Sequence, residues 1–263
     1  MYRFCSLYSG SSGNSLFLET SDTKILIDTG ESAKKIKEAL SLLNVEMNEL
    51  DAILITHEHS DHIKSLGTIS KKYHIPVYAT EKTWDAMPEQ STKIANENKV
   101  IFKSNEDFEI NDLKISPFSI PHDAADPCGF TISKENTKIG IATDIGHMTS
   151  SIAHKLEDSS FLLLESNYDP QILKCSKYPY LLKERIAGPN GHLPNHEAGK
   201  TISFLSKSGL KNVMLGHLSK ENNFPELAYK TVVEQLIENH LEENKMSIQV
   251  ANRFSPSPTI ILE

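Results

Sequence analysis

Residues 57–62 read His57-Glu58-His59-Ser60-Asp61-His62, which places three histidines and Asp61 within six positions, one residue (Thr56) beyond the apolar run 52–55. Neutral imidazole nitrogens and carboxylate oxygens are the ordinary ligands of zinc and its transition-metal neighbours. A tight loop at a strand end aims alternate side chains at one point, and a helix that follows can anchor it. Four ligand-type residues rarely crowd this closely by chance, so a metal-binding loop is favoured over an ordinary polar turn.

Such a loop needs rigid elements beneath it. The apolar run 52–55 reads as a buried strand and 63–72 as the helix behind it. Upstream, 15–19 and 24–28 form a hairpin across a polar turn, and 33–43 carries a helical apolar stripe. Downstream, strands are expected at 77–79, 99–102, 114–120, 129–132, 138–143, 161–165 and 212–215, with closing strands at 248–250 and 259–262. Helices are expected at 179–186, at 195–206 with Asn195 as N-cap, and at 225–239, where Pro225 opens the helix and Leu227, Val232, Leu236 and Leu241 are apolar positions. No linker, low-complexity segment or short repeat interrupts this order, so one domain over 1–263 is expected.

The bulk numbers agree with an α/β protein. A chain of 263 residues with 38% hydrophobic content buries a sizeable core. No run reaches the eighteen or so apolar residues of a membrane span, and residues 1–9 lack the apolar stretch of a signal peptide. Cys5, Cys128 and Cys175 are scattered and odd in number, which argues for free thiols in a reducing cytoplasm. The formal net charge of −8 argues weakly against a nucleic-acid partner, but bound divalent cations would invert the local field.

HxHxDH after an apolar strand resembles the metallo-β-lactamase superfamily, and its other motifs occur in order. Asp28 ends the run Ile25-Leu26-Ile27, His122 follows Ile120-Pro121, Asp144 ends 139–143, and His217 follows Val213-Met214-Leu215-Gly216. The resemblance implies a four-layer αββα sandwich. It also implies two divalent metal ions: His57, His59 and His122 on one, Asp61, His62 and His217 on the other, and Asp144 bridging. Asp28 is implied to orient the HxHxDH loop by hydrogen bonds. Zinc or manganese suits these donors, with iron as a third candidate.

Two further segments, 8–15 and 216–223, are similar to those of the bacterial YycJ/WalJ-like proteins, a group associated with 5'-to-3' exonuclease activity on DNA. Ser11, Ser12 and Asn14 lie in a small-residue turn of the kind whose amides and hydroxyls can cradle a phosphate. Lys220, Asn222 and Asn223, just after His217, are further substrate-binding candidates. His192, in Gly191-His192-Leu193-Pro194, matches a histidine that lies by the scissile phosphate in nuclease branches of the superfamily. Pro194 replaces the small hydroxyl residue of that setting, and Tyr168 stands where close relatives are expected to carry histidine. The expected catalytic residues are Asp61, to orient the nucleophile, and His192, to assist the leaving group. The competing enzymatic reading is a small-molecule hydrolase acting on a thioester, lactone or cyclic phosphodiester. A binding module without activity fits poorly, because all seven ligand positions are filled. His74, His147, His154 and His240 have no motif support and are read as structural or exposed, and His196 as a helix-surface residue.

Overall fold

Short apolar runs become strands and amphipathic stretches become helices in the computed structural model, which describes residues 1–240 and 246–263. The strands are β1 (Tyr2–Tyr8), β2 (Ser15–Glu19), β3 (Lys24–Ile27), β4 (Ala52–Leu54), β5 (Val77–Thr80), β6 (Lys99–Phe102) and β7 (Phe108–Ile110). They continue with β8 (Leu113–Ser119), β9 (Cys128–Lys134), β10 (Thr137–Ala142), β11 (Phe161–Glu165), β12 (Asn212–Gly216), β13 (Ser247–Val250) and β14 (Ile260–Leu262). The helices are α1 (Ala33–Leu42), α2 (Ser60–Ile63), α3 (Leu66–Tyr73), α4 (Glu81–Ala86) and α5 (Pro88–Ser91). After them come α6 (Ser150–Leu156), α7 (Pro170–Cys175), α8 (Tyr180–Ala187), α9 (Asn195–Leu205) and α10 (Pro225–Glu238). The strands form two seven-stranded sheets, ordered β14-β1-β2-β3-β4-β5-β6 and β13-β12-β11-β10-β9-β8-β7.

By its contacts the chain divides into two compact units. The first comprises Met1–Pro117, Ala124–Cys128 and Asn252–Glu263. Its first sheet is antiparallel from β14 to β3 and parallel from β3 to β6. Leu16 pairs with Ile27, and Ile27 with Leu54, so β3 and β4 end side by side. One face of this sheet, including Phe17, Leu26 and Ile53, is buried in a core with Ile36 and Leu40 of α1 and Leu66 and Ile69 of α3. Ser32 caps α1 by accepting the Lys35 amide.

The second unit comprises Phe118–Asp123 and Gly129–Ala251. Strands β10, β11, β12 and β13 run parallel, and β9 is antiparallel to β10. Leu162, Leu164, Val213 and Leu215 share a core with Ile202 and Leu205 of α9 and Val232 and Leu236 of α10. In both units the parallel strands end together, which is where α/β folds gather binding residues.

Two local expectations need correction. The helix expected over 63–72 is two helices, α2 and α3, because Ser65 leaves the helical path and its hydroxyl donates to the Glu31 and Thr29 carbonyls. Asn195 is not the N-cap of α9. Pro194 occupies that position without a side-chain cap, and the Asn195 side-chain Oδ1 accepts bonds from the Ser166 hydroxyl and the Asn223 side-chain amide inside the unit. Leu241, read as a position of the long helix, lies outside the described residues. Among the described residues no helix is long and apolar enough to cross a membrane.

The cysteines differ sharply in access. Cys5 and Cys128 are fully buried, and burial pushes their thiols up to about 11 and about 12, whereas Cys175 is exposed. Because the thiolate is the reactive form, a maleimide at pH 7 is expected to label one thiol in the native protein, on Cys175, and three in denaturant. Rapid native labelling of Cys5 or Cys128 would contradict this packing.

Candidate metal centre

In the first unit the site begins with Asp28, one residue beyond β3 and in the left-handed region at φ 62°. That conformation is costly for most residues but tolerated by aspartate. It turns the carboxylate onto the neighbouring strand end, where Oδ1 accepts the Thr56 amide at 2.9 Å and Oδ2 the Thr56 hydroxyl at 2.8 Å. Oδ2 also lies 2.7 Å from Nδ1 of His62, a contact buried on both sides. A carboxylate acceptor there fixes the proton on Nδ1 and gives Nε2 the lone pair a metal ligand needs. The ring centroid of His57 lies 4.6 Å from that of His59 and 4.1 Å from that of His62, so the three imidazoles form one cluster.

The turn before β2 holds this loop from below. The Asn14 amide nitrogen donates to the Asp61 carbonyl at 2.8 Å, and its side-chain nitrogen lies 3.1 Å from Nε2 of His62 and 3.4 Å from Oδ2 of Asp61. Gly30 closes the arrangement, since a Cβ there would fall 1.6 Å from the Asp61 carbonyl oxygen. Asn14 is therefore buried against the histidine loop, while Ser11 and Ser12 are exposed at the tip of the turn.

The second unit carries its own set. Asp144 and His217 each stand just beyond a parallel strand in the left-handed region, at φ 58° and 53°. Between them β11 ends in Glu165, a fully buried carboxylate. Its Oε1 lies 2.7 Å from Nδ1 of His217 and 2.9 Å from Nδ1 of His192, and its Oε2 accepts the amides of Ile145 and Leu193, each at 2.9 Å. Burial pushes the Glu165 carboxyl up, but His192 and then His217 outweigh it and hold it well below the usual carboxylate range. His122 follows the same pattern through a carbonyl, with Nδ1 3.1 Å from the Gly191 oxygen. Burial lowers its pKa, which favours the neutral form that metal ligation requires. One donor atom from each of Asp144, Glu165, His192 and His217 lies within 4.8 Å of the others. Asp144 and His217, both buried and the latter with Nδ1 already committed to Glu165, are donor types that fit a divalent transition metal.

His192 is 22% exposed at its side chain, unlike His122 and His217. Burial opposes a charge on it, yet Glu165, with Asp144 adding, raises its pKa above the usual imidazole range. Its loop is stitched to the extension of β11: Asn167 donates to the Leu193 carbonyl and Asn195 to that of Tyr168. The Asn223 amide bridges the same segments, donating to the Ser166 and Asn167 carbonyls and to Asn195. Asn222 is buried as well, against Ser219, while Lys220 is exposed. Tyr168 is buried beside Pro194. His74, His147, His154 and His240 are exposed, and His196 is half-buried.

Glu165 is the site residue that motif reading missed. Its only signal is register: it pairs with Gly216 at the end of an apolar strand, between strands that run into Asp144 and His217. Glu165→Gln is expected to weaken metal binding by roughly 10–100-fold, because it disturbs the tautomer and orientation of His217. Competition with a chelator measures this. Wild-type affinity in a folded Glu165→Gln protein would show that the carboxylate does not position a ligand.

Comparison with known proteins agrees with this geometry. The model of the beta-lactamase superfamily domain matches residues 23–218. Exodeoxyribonuclease WalJ of Streptococcus pneumoniae is 40% identical over 237 residues, covering 89% of this chain and 88% of that protein. Exodeoxyribonuclease YycJ of Bacillus anthracis is 36% identical over 235 residues, covering 89% of each. Among solved structures, zinc-bound PqqB of Methylobacterium extorquens superposes with a TM-score of 0.75 at 15% identity over 100% of both chains. The metallo-β-lactamase fold protein YhfI of Bacillus subtilis gives 0.69 at 15% identity, over 98% of this chain and 100% of its own. These two distant likenesses show the fold, α/β of the metallo-β-lactamase type. On the family match and the identity to the two nucleases, the chain belongs to the β-lactamase superfamily and, within it, to the YycJ/WalJ-like group, and it is a metal-dependent hydrolase.

Proposed function

We propose that this chain is a dinuclear phosphodiesterase, a 5'-to-3' exonuclease acting on DNA in the cytoplasm. In this reading His57, His59 and His122 hold one ion, Asp61, His62 and His217 the other, and Asp144 bridges them. The ions are zinc or manganese, with iron as a third candidate. When bound, such a pair supplies Lewis acidity toward the phosphodiester and activates water at neutral pH. The names of the two similar nucleases support the substrate class.

The observation that carries the reading is the His192–Glu165 pair. A phosphodiester of DNA has an alkoxide leaving group, which needs a proton. His192 has Nδ1 held at 2.9 Å by a buried carboxylate and a partly exposed ring, an arrangement suited to a general acid. Asp61, backed by Asn14, orients the attacking water. Ser11, Ser12 and Lys220 are exposed donors for the substrate phosphate, and Asn14, Asn222 and Asn223 support the loops that carry them.

The test compares His192→Ala with Asp144→Ala. His192→Ala is expected to keep its metal and lose on the order of 10²–10⁴-fold in DNA cleavage. It should lose much less on an aryl phosphodiester, whose leaving group needs no proton. Asp144→Ala is expected to lose metal and activity together. Equal losses of His192→Ala on both substrates would contradict the acid role. Rapid thioester or lactone turnover by a metal-loaded wild type that leaves DNA and RNA intact would overturn the nuclease reading.

A further inference from the structure

Residues 170–190, which carry α7 and α8, do not behave like the rest of the second unit. Helix α8 has no buried residue, and Tyr180 and Leu181 are 72% and 80% exposed. The segment carries Lys174, Lys177, Lys183 and Arg185 against the single acid Glu184, in a chain whose formal net charge is −8. Between the two helices lies a cavity of about 520 Å³ lined by Tyr168, Leu173, Lys174, Tyr178, Tyr180 and Lys183. That volume is within the range of small-ligand sites. Its wall is pinned by Lys183, whose ammonium donates to the Lys174 carbonyl at 2.7 Å.

This arm adjoins the site. The His192 amide donates to the Ile186 carbonyl at 2.9 Å, and the Gly191 carbonyl, which follows α8, holds Nδ1 of His122. At the other end Tyr168, three residues beyond Glu165, forms the cavity floor.

We infer that the α7–α8 arm is a platform for the single-stranded part of a nucleic-acid substrate, with a base stacked on Tyr180 and the flanking phosphates met by Lys174 and Lys183. The inference rests on the phosphodiesterase reading given above and names a subsite for it. The chemistry selects the ligand. Aromatic rings accept any base through its π-face, and lysines beside them follow the backbone charge, which is the usual composition of single-strand grooves. A basic, aromatic arm on an acidic chain complements a polyanion. It needs no order in the bases, which suits an enzyme that moves along a strand.

The experiment uses the metal-loaded protein with Tyr180→Ala, Tyr180→Phe and Lys174→Glu, all changes at exposed positions. A fluorescent single-stranded oligothymidylate with cleavage-resistant phosphorothioate linkages reports binding by anisotropy. The unmodified oligomer reports kcat and KM, and an aryl phosphodiester reports the chemistry alone. Tyr180→Ala is expected to bind on the order of tenfold more weakly, with a KM raised in proportion and kcat little changed. Tyr180→Phe should match wild type because it keeps the stacking face. Lys174→Glu should weaken binding and flatten its salt dependence. All three should hydrolyse the aryl diester at the wild-type rate. Wild-type affinity of Tyr180→Ala, in a protein that cleaves DNA, overturns the platform and leaves the nuclease reading intact. Tyr180-dependent binding by a wild type that cleaves no nucleic acid does the reverse, and no binding at all overturns both. Tyr180 affecting only adsorption to anionic vesicles would assign the arm to a membrane surface and overturn the inference.

Discussion

The site depends on one repeated constraint: the Nδ1 proton of a histidine is given to an acceptor behind it, so that Nε2 faces forward as a base. Asp28 does this for His62, Glu165 for His217, and the Gly191 carbonyl for His122. Each acceptor belongs to, or lies next to, the end of a strand or a tightly bonded loop, so ring orientation is set by the sheet itself. A histidine with the opposite tautomer would present a donor to a cation and bind nothing. In the proposed metal centre the two carboxylates would therefore matter as much as the ligands they orient.

That constraint explains the unusual backbone. Asp28, Asp144 and His217 all leave parallel strands through left-handed residues, a conformation of roughly 1–3 kcal/mol for a non-glycine side chain. Continuing the strand would point each side chain to one face of its sheet. The left-handed step instead brings it over the strand end, where Asp28 meets Thr56 and His62, and His217 meets Glu165. It also concentrates acid in a dry place. Asp144 and Glu165 are both buried within one cluster of donor atoms in the second unit. A metal held there would offset that charge, so a formal net charge of −8 says little about the field a substrate meets.

How legible this was in the sequence follows from what each residue does. The 57–62 cluster is visible because four residues of metal-binding type crowd into six positions. Asp28, Asp144 and His217 are legible through the family resemblance, whose motifs fall in order at or near the ends of apolar runs. Glu165 is hidden because it closes such a run as an ordinary polar end, and its importance comes from its neighbours in β10 and β12, far away in sequence. Asn14 and Asn223 illustrate the opposite difficulty. Sequence shows an amide beside a motif, but not that the amide is already bonded to the loop it supports. Asn195 has the residue type of an N-cap, yet buried partners compete for its oxygen and win. Helices α4 and α5 are too short, at 6 and 4 residues, to show a helical period at all.

The central claim, that these oriented donors hold a pair of cations, is tested most directly by elemental analysis of protein purified without oxygen and reconstituted with zinc or manganese. The account predicts a stoichiometry approaching two ions per chain. A folded protein that binds neither metal would contradict it.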